Sequence, residues 1–145
     1  MLQPKQTTYE KALKLAAKAH AGKLYGSEPY INHLIRVSEG VAPFSDNDDL
    51  RIVAVLHDVV EDTKVTLEQL KRCFGYWVAK NVDILTRRQG EEYFDYIMRV
   101  SSSLVATVVK LADLEDNLKN NPPPSLQRRY ERAARFLAEV ANATA

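Results

Sequence analysis

His57-Asp58-Val59-Val60-Glu61-Asp62 sets four ionisable side chains against a run, Ile52 to Val60, whose other residues are all apolar. Burying an imidazole beside a carboxylate is costly unless something compensates, and a bound metal ion is the usual compensation. On a helix His57 and Glu61 are four residues apart, as are Asp58 and Asp62, so all four groups cluster over about one turn. A metal-ligand pair and a general acid/base pair can share such a turn. The segment reads as an active site.

Those side chains need elements to hold them. Thr7 or Thr8 caps a predicted helix to about Ala21, with Tyr9, Leu13, Ala16 and His20 on one face. Here His20 reads as packing or support rather than as a ligand. Gly22 to Pro29 has loop chemistry, and a second helix is expected from Tyr30 to about Gly40. Asp46-Asn47-Asp48-Asp49 supplies a cap and an acidic first turn for one helix over 46–62. Valine and isoleucine would also suit a buried strand there and over Leu104–Leu111, but the cap, the length and the absence of Gly and Pro favour helices. Thr66-Leu67-Glu68-Gln69 opens a short helix that ends before Gly75. Tyr76–Thr86 and the amphipathic Glu91–Val100 follow, separated by the basic loop Arg87-Arg88-Gln89-Gly90. Pro122-Pro123-Pro124 parts a long penultimate helix from a last one over about Ser125–Asn142. The predicted class is all-α: one compact helical bundle spanning 1–145, with the site in its core.

Composition narrows the function classes. The chain has 145 residues, 46% hydrophobic and 27% charged, which suits an ordinary globular domain and excludes disordered and fibrous classes. A net charge of +1 argues against a broad nucleic-acid-binding face. The lone cysteine, Cys73, excludes an internal disulfide and a cysteine-based zinc cluster. No apolar stretch reaches the length of a membrane span, and Met1–Thr8 lacks a signal-peptide pattern, so a cytoplasmic location is expected.

Three segments belong together: S-E-P-Y-I-N-H around His33, A-V-L-H-D-V-V-E-D-T around His57, and V-K-L-A-D-L-E-D-N-L around Asp113. His33, His57, Asp58 and Asp113 make a mixed nitrogen and oxygen set that suits Mn²⁺, Fe²⁺ or Zn²⁺. Four such ligands on an octahedral ion leave room for water and a phosphate oxygen. Glu61 and Asp62, one turn on, are placed to take a proton from that water or give one to a leaving group.

In this order and spacing the motifs resemble the HD superfamily of metal-dependent phosphohydrolases, and more narrowly the hydrolase domains of RelA/SpoT stringent-response proteins and the small alarmone hydrolases. Phe74-Gly75, Leu85-Thr86 and K-L-A-D-x-x-x-N extend the likeness from Ala19-His20 to about Asn120. The resemblance implies an all-helical fold and a Mn²⁺-type ion on His33, His57, Asp58 and Asp113. It also implies a catalytic pair, Glu61 and Asp62, and removal of the 3′-pyrophosphate from (p)ppGpp or (p)ppApp, with Asn117 near phosphates and ribose. No synthetase domain fits this length, so degradation alone is expected. The chain departs from the family between His20 and His33, where Lys23, Leu24 and Tyr25 replace an arginine-rich stretch. Tyr25 is then a candidate to stack on the base, and Lys23 and Lys110 are candidates to meet phosphates. Leu34 and Leu114 stand where the family has proline and arginine. Two other readings remain open: a nucleotide phosphatase acting on a deoxynucleotide or NADPH, and a non-catalytic nucleotide-binding or antitoxin module. The expected partner is a small nucleotide, with room for a homodimer or a cognate toxin.

Overall fold

A computed structural model describes residues 6–144. Met1–Lys5, part of the segment without a signal-peptide pattern, lie outside the described residues. Helix α1 (Thr8–Ala19) opens on a reciprocal cap in which the Thr7 hydroxyl accepts from the Glu10 N–H and the Glu10 carboxylate accepts from the Thr7 N–H. It buries Ala12 and Ala16 against the core. The stretch expected as loop holds a small antiparallel hairpin, β1 (Leu24–Tyr25) and β2 (Glu28–Pro29), turned by Gly26-Ser27. Gly26 has φ +61°, a conformation that only the missing Cβ makes cheap. Helix α2 (Tyr30–Val41) follows directly and buries His33, Leu34 and Val37.

The central segment corrects the sequence reading. In place of one helix over 46–62, α3 (Asp49–Leu56) and α4 (Val59–Asp62) are separated at His57-Asp58. The N-cap, Asp48, makes no side-chain cap bond, and the Asn47 side-chain oxygen instead accepts from the Asp49 N–H at 2.9 Å. The break has a local cause. The His57 ring Nδ1 donates to the Ala54 carbonyl at 2.6 Å, and the His57 backbone N–H turns to the same carbonyl at 3.4 Å. The helical ladder is interrupted where the two site residues leave it.

The remaining helices are α5 (Leu67–Phe74), α6 (Tyr76–Leu85), α7 (Tyr93–Val100), α8 (Leu104–Lys119) and α9 (Pro124–Thr144). A Thr66–Gln69 capping box starts α5, and Gly75 at φ +92° makes the corner into α6. The ambiguous Leu104–Leu111 run is helical, capped by Ser103 on the Ala106 N–H at 3.1 Å. Helix α3 is the hub: Leu50 and Ile52 to Leu56 are buried, and α1, α2, α6 and α8 pack around it. Burial of Ile52 to Leu56 explains why that stretch of α3 is apolar throughout. Helix α9 covers α7 and α8. The class is all-α but for the hairpin. No helix of the described residues is long and apolar enough to cross a membrane.

Arg99 on α7 ties down the segment between α6 and α7. Its guanidinium donates to the carbonyls of Ile84 (2.8 Å) and Thr86 (2.9 Å) and grips both Glu91 carboxylate oxygens at 2.9 and 3.1 Å. Those bonds to Arg99 are the main reason the Glu91 carboxyl is pulled down to about 2. Arg99→Ala is expected to cost about 2–3 kcal/mol in urea unfolding, since charge-assisted bonds and two carbonyls lose their donor together. The lowered Glu91 group stabilises the fold above its unfolded value of 4.5, and that contribution fades as pH falls toward about 2. The variant should therefore show a shallower loss of stability across that acid window.

Candidate active site

The candidate side chains come from four elements. His33 projects from the first turn of α2, His57 and Asp58 from the break between α3 and α4, Glu61 and Asp62 from α4, and Asp113 from mid-α8. One ligand atom from each of His33, His57, Asp58 and Asp113 lies within 4.8 Å of the others. His33, His57 and Asp113 are buried, and Asp58 keeps 16% of its side chain exposed.

Hydrogen bonding fixes the imidazole tautomers. His33 Nδ1 meets the Asp116 carboxylate at 2.7 Å, and His57 Nδ1 meets the Ala54 carbonyl at 2.6 Å. Both partners only accept, so each Nδ1 carries the proton and each Nε2 is left with a lone pair. His33 Nε2 lies 2.9 Å from Asp113, while His57 Nε2 lies 3.2 Å from Asp58 and 3.3 Å from Asp113. His57 Nε2 is buried without a hydrogen-bond partner. Lone pairs and carboxylates facing one another in a buried pocket repel unless a positive charge sits among them. A divalent cation fits that donor set. Without one, burial opposes charge on His57, but Asp58 and Asp113 outweigh it and draw a second proton onto the ring, well above the usual 6.5. Burial also resists ionisation of Asp113, yet Lys110 and then His57 hold its carboxyl well below 3.8. Mn²⁺ added to chelator-treated protein at about a hundred times its dissociation constant should raise the melting temperature by roughly 5–10 °C, and His57→Ala should remove the shift.

The sequence reading missed the groups that hold these ligands. Asp116 receives His33 Nδ1–H and is gripped by Arg36 at 2.8 and 3.1 Å, and Arg36 is anchored in turn on Glu28 of the hairpin at 2.6 Å. Asp116 is a neighbour of Asp113 on the face of α8 that meets α2, a spacing visible in A-D-L-E-D-N. Tyr30, present in the E-P-Y-I-N-H motif but without an assigned part, donates its hydroxyl to Asp58 at 2.5 Å. His20 stacks on Tyr30 with ring centroids 5.0 Å apart, in keeping with a packing role.

The expected substrate residues are placed differently. Lys110 bonds Asp113 at 2.9 Å with only 13% of its side chain exposed. Lys23 pairs with Asp62 at 2.7 Å and lies over the Tyr30 ring, 4.1 Å from its centroid. Tyr25 stacks on His33 at 4.3 Å and donates its hydroxyl to Asn117 at 2.8 Å. Tyr25, Asn117 and Arg36 line a cleft of about 760 Å³ that reaches Tyr130 on α9. Glu61 accepts the Arg87 backbone N–H at 2.7 Å. Partial burial, followed by the charges of Asp58 and Asp62, leaves its carboxyl above the ordinary 4.5 despite that bond.

Residues 12–102 match the family model described as HD domain. The chain belongs to the HD-domain family. Among similar proteins, the guanosine-3′,5′-bis(diphosphate) 3′-pyrophosphohydrolase of Haemophilus influenzae is 33% identical over 117 residues, 72% of this chain and 17% of that protein. The Aquifex aeolicus protein of the same name is 33% identical over 119 residues, 76% of this chain and 17% of its own. The chain thus spans about a sixth of the length of these relatives. A solved structure described as a metazoan ortholog of SpoT that hydrolyses ppGpp superposes with a TM-score of 0.78 and 25% identity, covering 97% of this chain and 88% of that one. A Listeria monocytogenes structure, at TM-score 0.63 and 23% identity, covers 80% of this chain and 93% of its own and shares the fold.

Proposed function

We propose that this HD domain is a metal-dependent hydrolase that removes the 3′-pyrophosphate of a purine alarmone, (p)ppGpp or (p)ppApp, giving pyrophosphate and GDP/GTP or ADP/ATP. The observation that carries the reading is the set of two imidazole lone pairs and two carboxylates converging one turn from the acidic pair Glu61 and Asp62. The relatives named as 3′-pyrophosphohydrolases support the substrate class. Held by His33, His57, Asp58 and Asp113, a divalent ion, Mn²⁺ before Fe²⁺ or Zn²⁺, would supply Lewis acidity to water and to a phosphate oxygen.

The chain's own residues do the rest. Glu61, oriented by the Arg87 N–H, takes the proton of the attacking water. Asp62, held by Lys23, assists it, and Lys23 brings a positive charge to the phosphates. Tyr30 and Asp116 keep Asp58 and His33 in position. Lys110 keeps Asp113 ionised. The cleft of about 760 Å³ is nucleotide-sized, and a base entering it meets Asn117 and Tyr25.

Ion-exchange product analysis with Mn²⁺ on ppGpp, pppGpp, ppApp, dGMP and NADPH, with Asp58→Ala as blank, tests the reading. Pyrophosphate release from an alarmone is expected, and the panel names the preferred base. Inorganic phosphate from dGMP or NADPH would keep the site and replace the substrate. A metal-loaded protein that turns over none of them would overturn the reading.

A further inference from the structure

Thr86 and Arg87 share one peptide unit that is gripped at both ends. Its N–H donates to the Glu61 carboxylate at 2.7 Å. Its oxygen accepts from two guanidiniums, Arg99 Nη2 at 2.9 Å and Arg88 Nη1 at 2.6 Å. A trans peptide is planar, with C=O and N–H pointing opposite ways, so neither can turn without the other. Fixing the oxygen therefore fixes the line along which the N–H meets Glu61. Positive charge on the oxygen also strengthens the N–H as a donor at the far end.

Arg99 reaches this peptide from α7, and its other bonds leave it little freedom. The rest of its fork takes the Ile84 carbonyl and both Glu91 carboxylate oxygens. Glu91 closes the loop in turn: its carboxylate accepts the Arg88 N–H and its carbonyl accepts Arg87 Nε–H, each at 3.0 Å. A helix leaves its last four carbonyls without intrahelical donors. At the end of α6, two of them are met from α7, Ile84 by Arg99 and Leu85 by the Tyr96 hydroxyl at 2.7 Å. Those two bonds serve the helix end. The further bond, to the Thr86 oxygen, leads to the acidic pair, and among the described residues the Arg87 N–H is the hydrogen-bond donor to the Glu61 carboxylate.

We propose that Arg99 is a positioning residue of the reaction: through the Thr86–Arg87 peptide it holds the Glu61 carboxylate in the orientation that takes the proton of the attacking water. The inference rests on the reading of Glu61 as the base. Glu61 stands on a helix of four residues, and its flexible side chain needs an outside partner to aim it. None of Arg99's hydrogen bonds reaches Glu61 or the four side chains able to hold a metal. Its loss should therefore act on turnover and leave the binding of metal and substrate in place.

The test is a double-mutant cycle with Glu61→Gln, assayed with Mn²⁺ and ppGpp below the melting temperature of the least stable variant. Arg99→Gln alone should lower kcat about 10–100-fold with KM within about twofold of wild type. Arg99→Lys, which keeps the charge but not the planar fork, should fall between the two. Added to Glu61→Gln, Arg99→Gln should lower kcat by less than about twofold more, because the group it positions is already gone. The full loss in both backgrounds is what a clamp that only keeps the fold in shape predicts, and it would overturn the proposal, as would a wild-type kcat in Arg99→Gln. A wild-type rate in Glu61→Gln, or no turnover in wild type, would instead bring down the reaction proposed above and this role with it. Amide hydrogen exchange reads the same link without turnover. The Arg87 N–H should exchange about tenfold faster in Arg99→Gln while the buried amides of α3 keep their protection. Unchanged exchange at Arg87 would show that another group aims the peptide and would remove Arg99 from this role.

Discussion

Glu61→Gln is expected to lower kcat by about 10²–10⁴-fold while metal uptake stays intact, the range over which a positioned general base contributes. Glu61 lies outside the set of four converging ligand atoms, so the amide leaves that set complete. It keeps the shape and can still accept the Arg87 N–H, but it cannot take a proton. The pH profile separates this from mere misplacement. Partial burial, with Asp58 and Asp62 nearby, raises the Glu61 carboxyl above 4.5, so a base at this position loses its ionised form at a higher pH than an ordinary glutamate. The acid limb of kcat/KM should therefore lie above 4.5 in wild type and vanish in the variant. Stability should move the other way. A raised carboxyl pKa makes its contribution to the fold below the unfolded value and loses it as pH rises through the folded one. At neutral pH the charged Glu61 is thus a burden on the metal-free protein, and Glu61→Gln should melt slightly higher. A wild-type rate in Glu61→Gln would sink the assignment.

Asp113→Ala is expected to be the most damaging single change to the protein. Its carboxylate bonds Lys110 at 2.9 Å and faces His33 Nε2 at 2.9 Å and His57 Nε2 at 3.3 Å, all in the core. Removing it leaves the Lys110 ammonium, 13% exposed, with no counter-charge. Breaking a buried pair in this way costs about 3–5 kcal/mol, a large part of a domain's stability. Metal affinity falls with the lost ligand, so Mn²⁺ should no longer protect the variant from thermal unfolding. Asp58→Ala makes the useful contrast. Asp58 has no lysine of its own and sits nearer solvent, so this variant should lose metal and turnover with a smaller loss of fold stability. Equal stability of Asp113→Ala and wild type in urea unfolding would show that Lys110 finds another partner.

Much of this was legible in the chain because it is local. Capping residues lie within four positions of the groups they satisfy, which is why the cap at Thr7 or Thr8, the Thr66–Gln69 start of α5 and the ends of α5 and α6 could be read directly. The spacing of His57, Asp58, Glu61 and Asp62 is likewise a one-turn property. It survives the break at His57-Asp58 because both residues keep near-helical backbone angles. The break itself depends on a side chain competing for the Ala54 carbonyl, which no periodicity reveals.

The amino-acid sequence by itself determined the helical class, the four side chains His33, His57, Asp58 and Asp113 that converge as a group able to hold a metal, and the family. The tertiary structure alone decided what surrounds each of them. It turned Lys110 toward Asp113, laid Tyr25 on His33, brought Asp116 and Arg36 behind the same ring, and set α9's arginines beside Arg87. The physical reason is range. Propensity and capping act over a few residues, whereas the partner that orients His33 is 83 positions away, and only the packing of α2 against α8 brings them together.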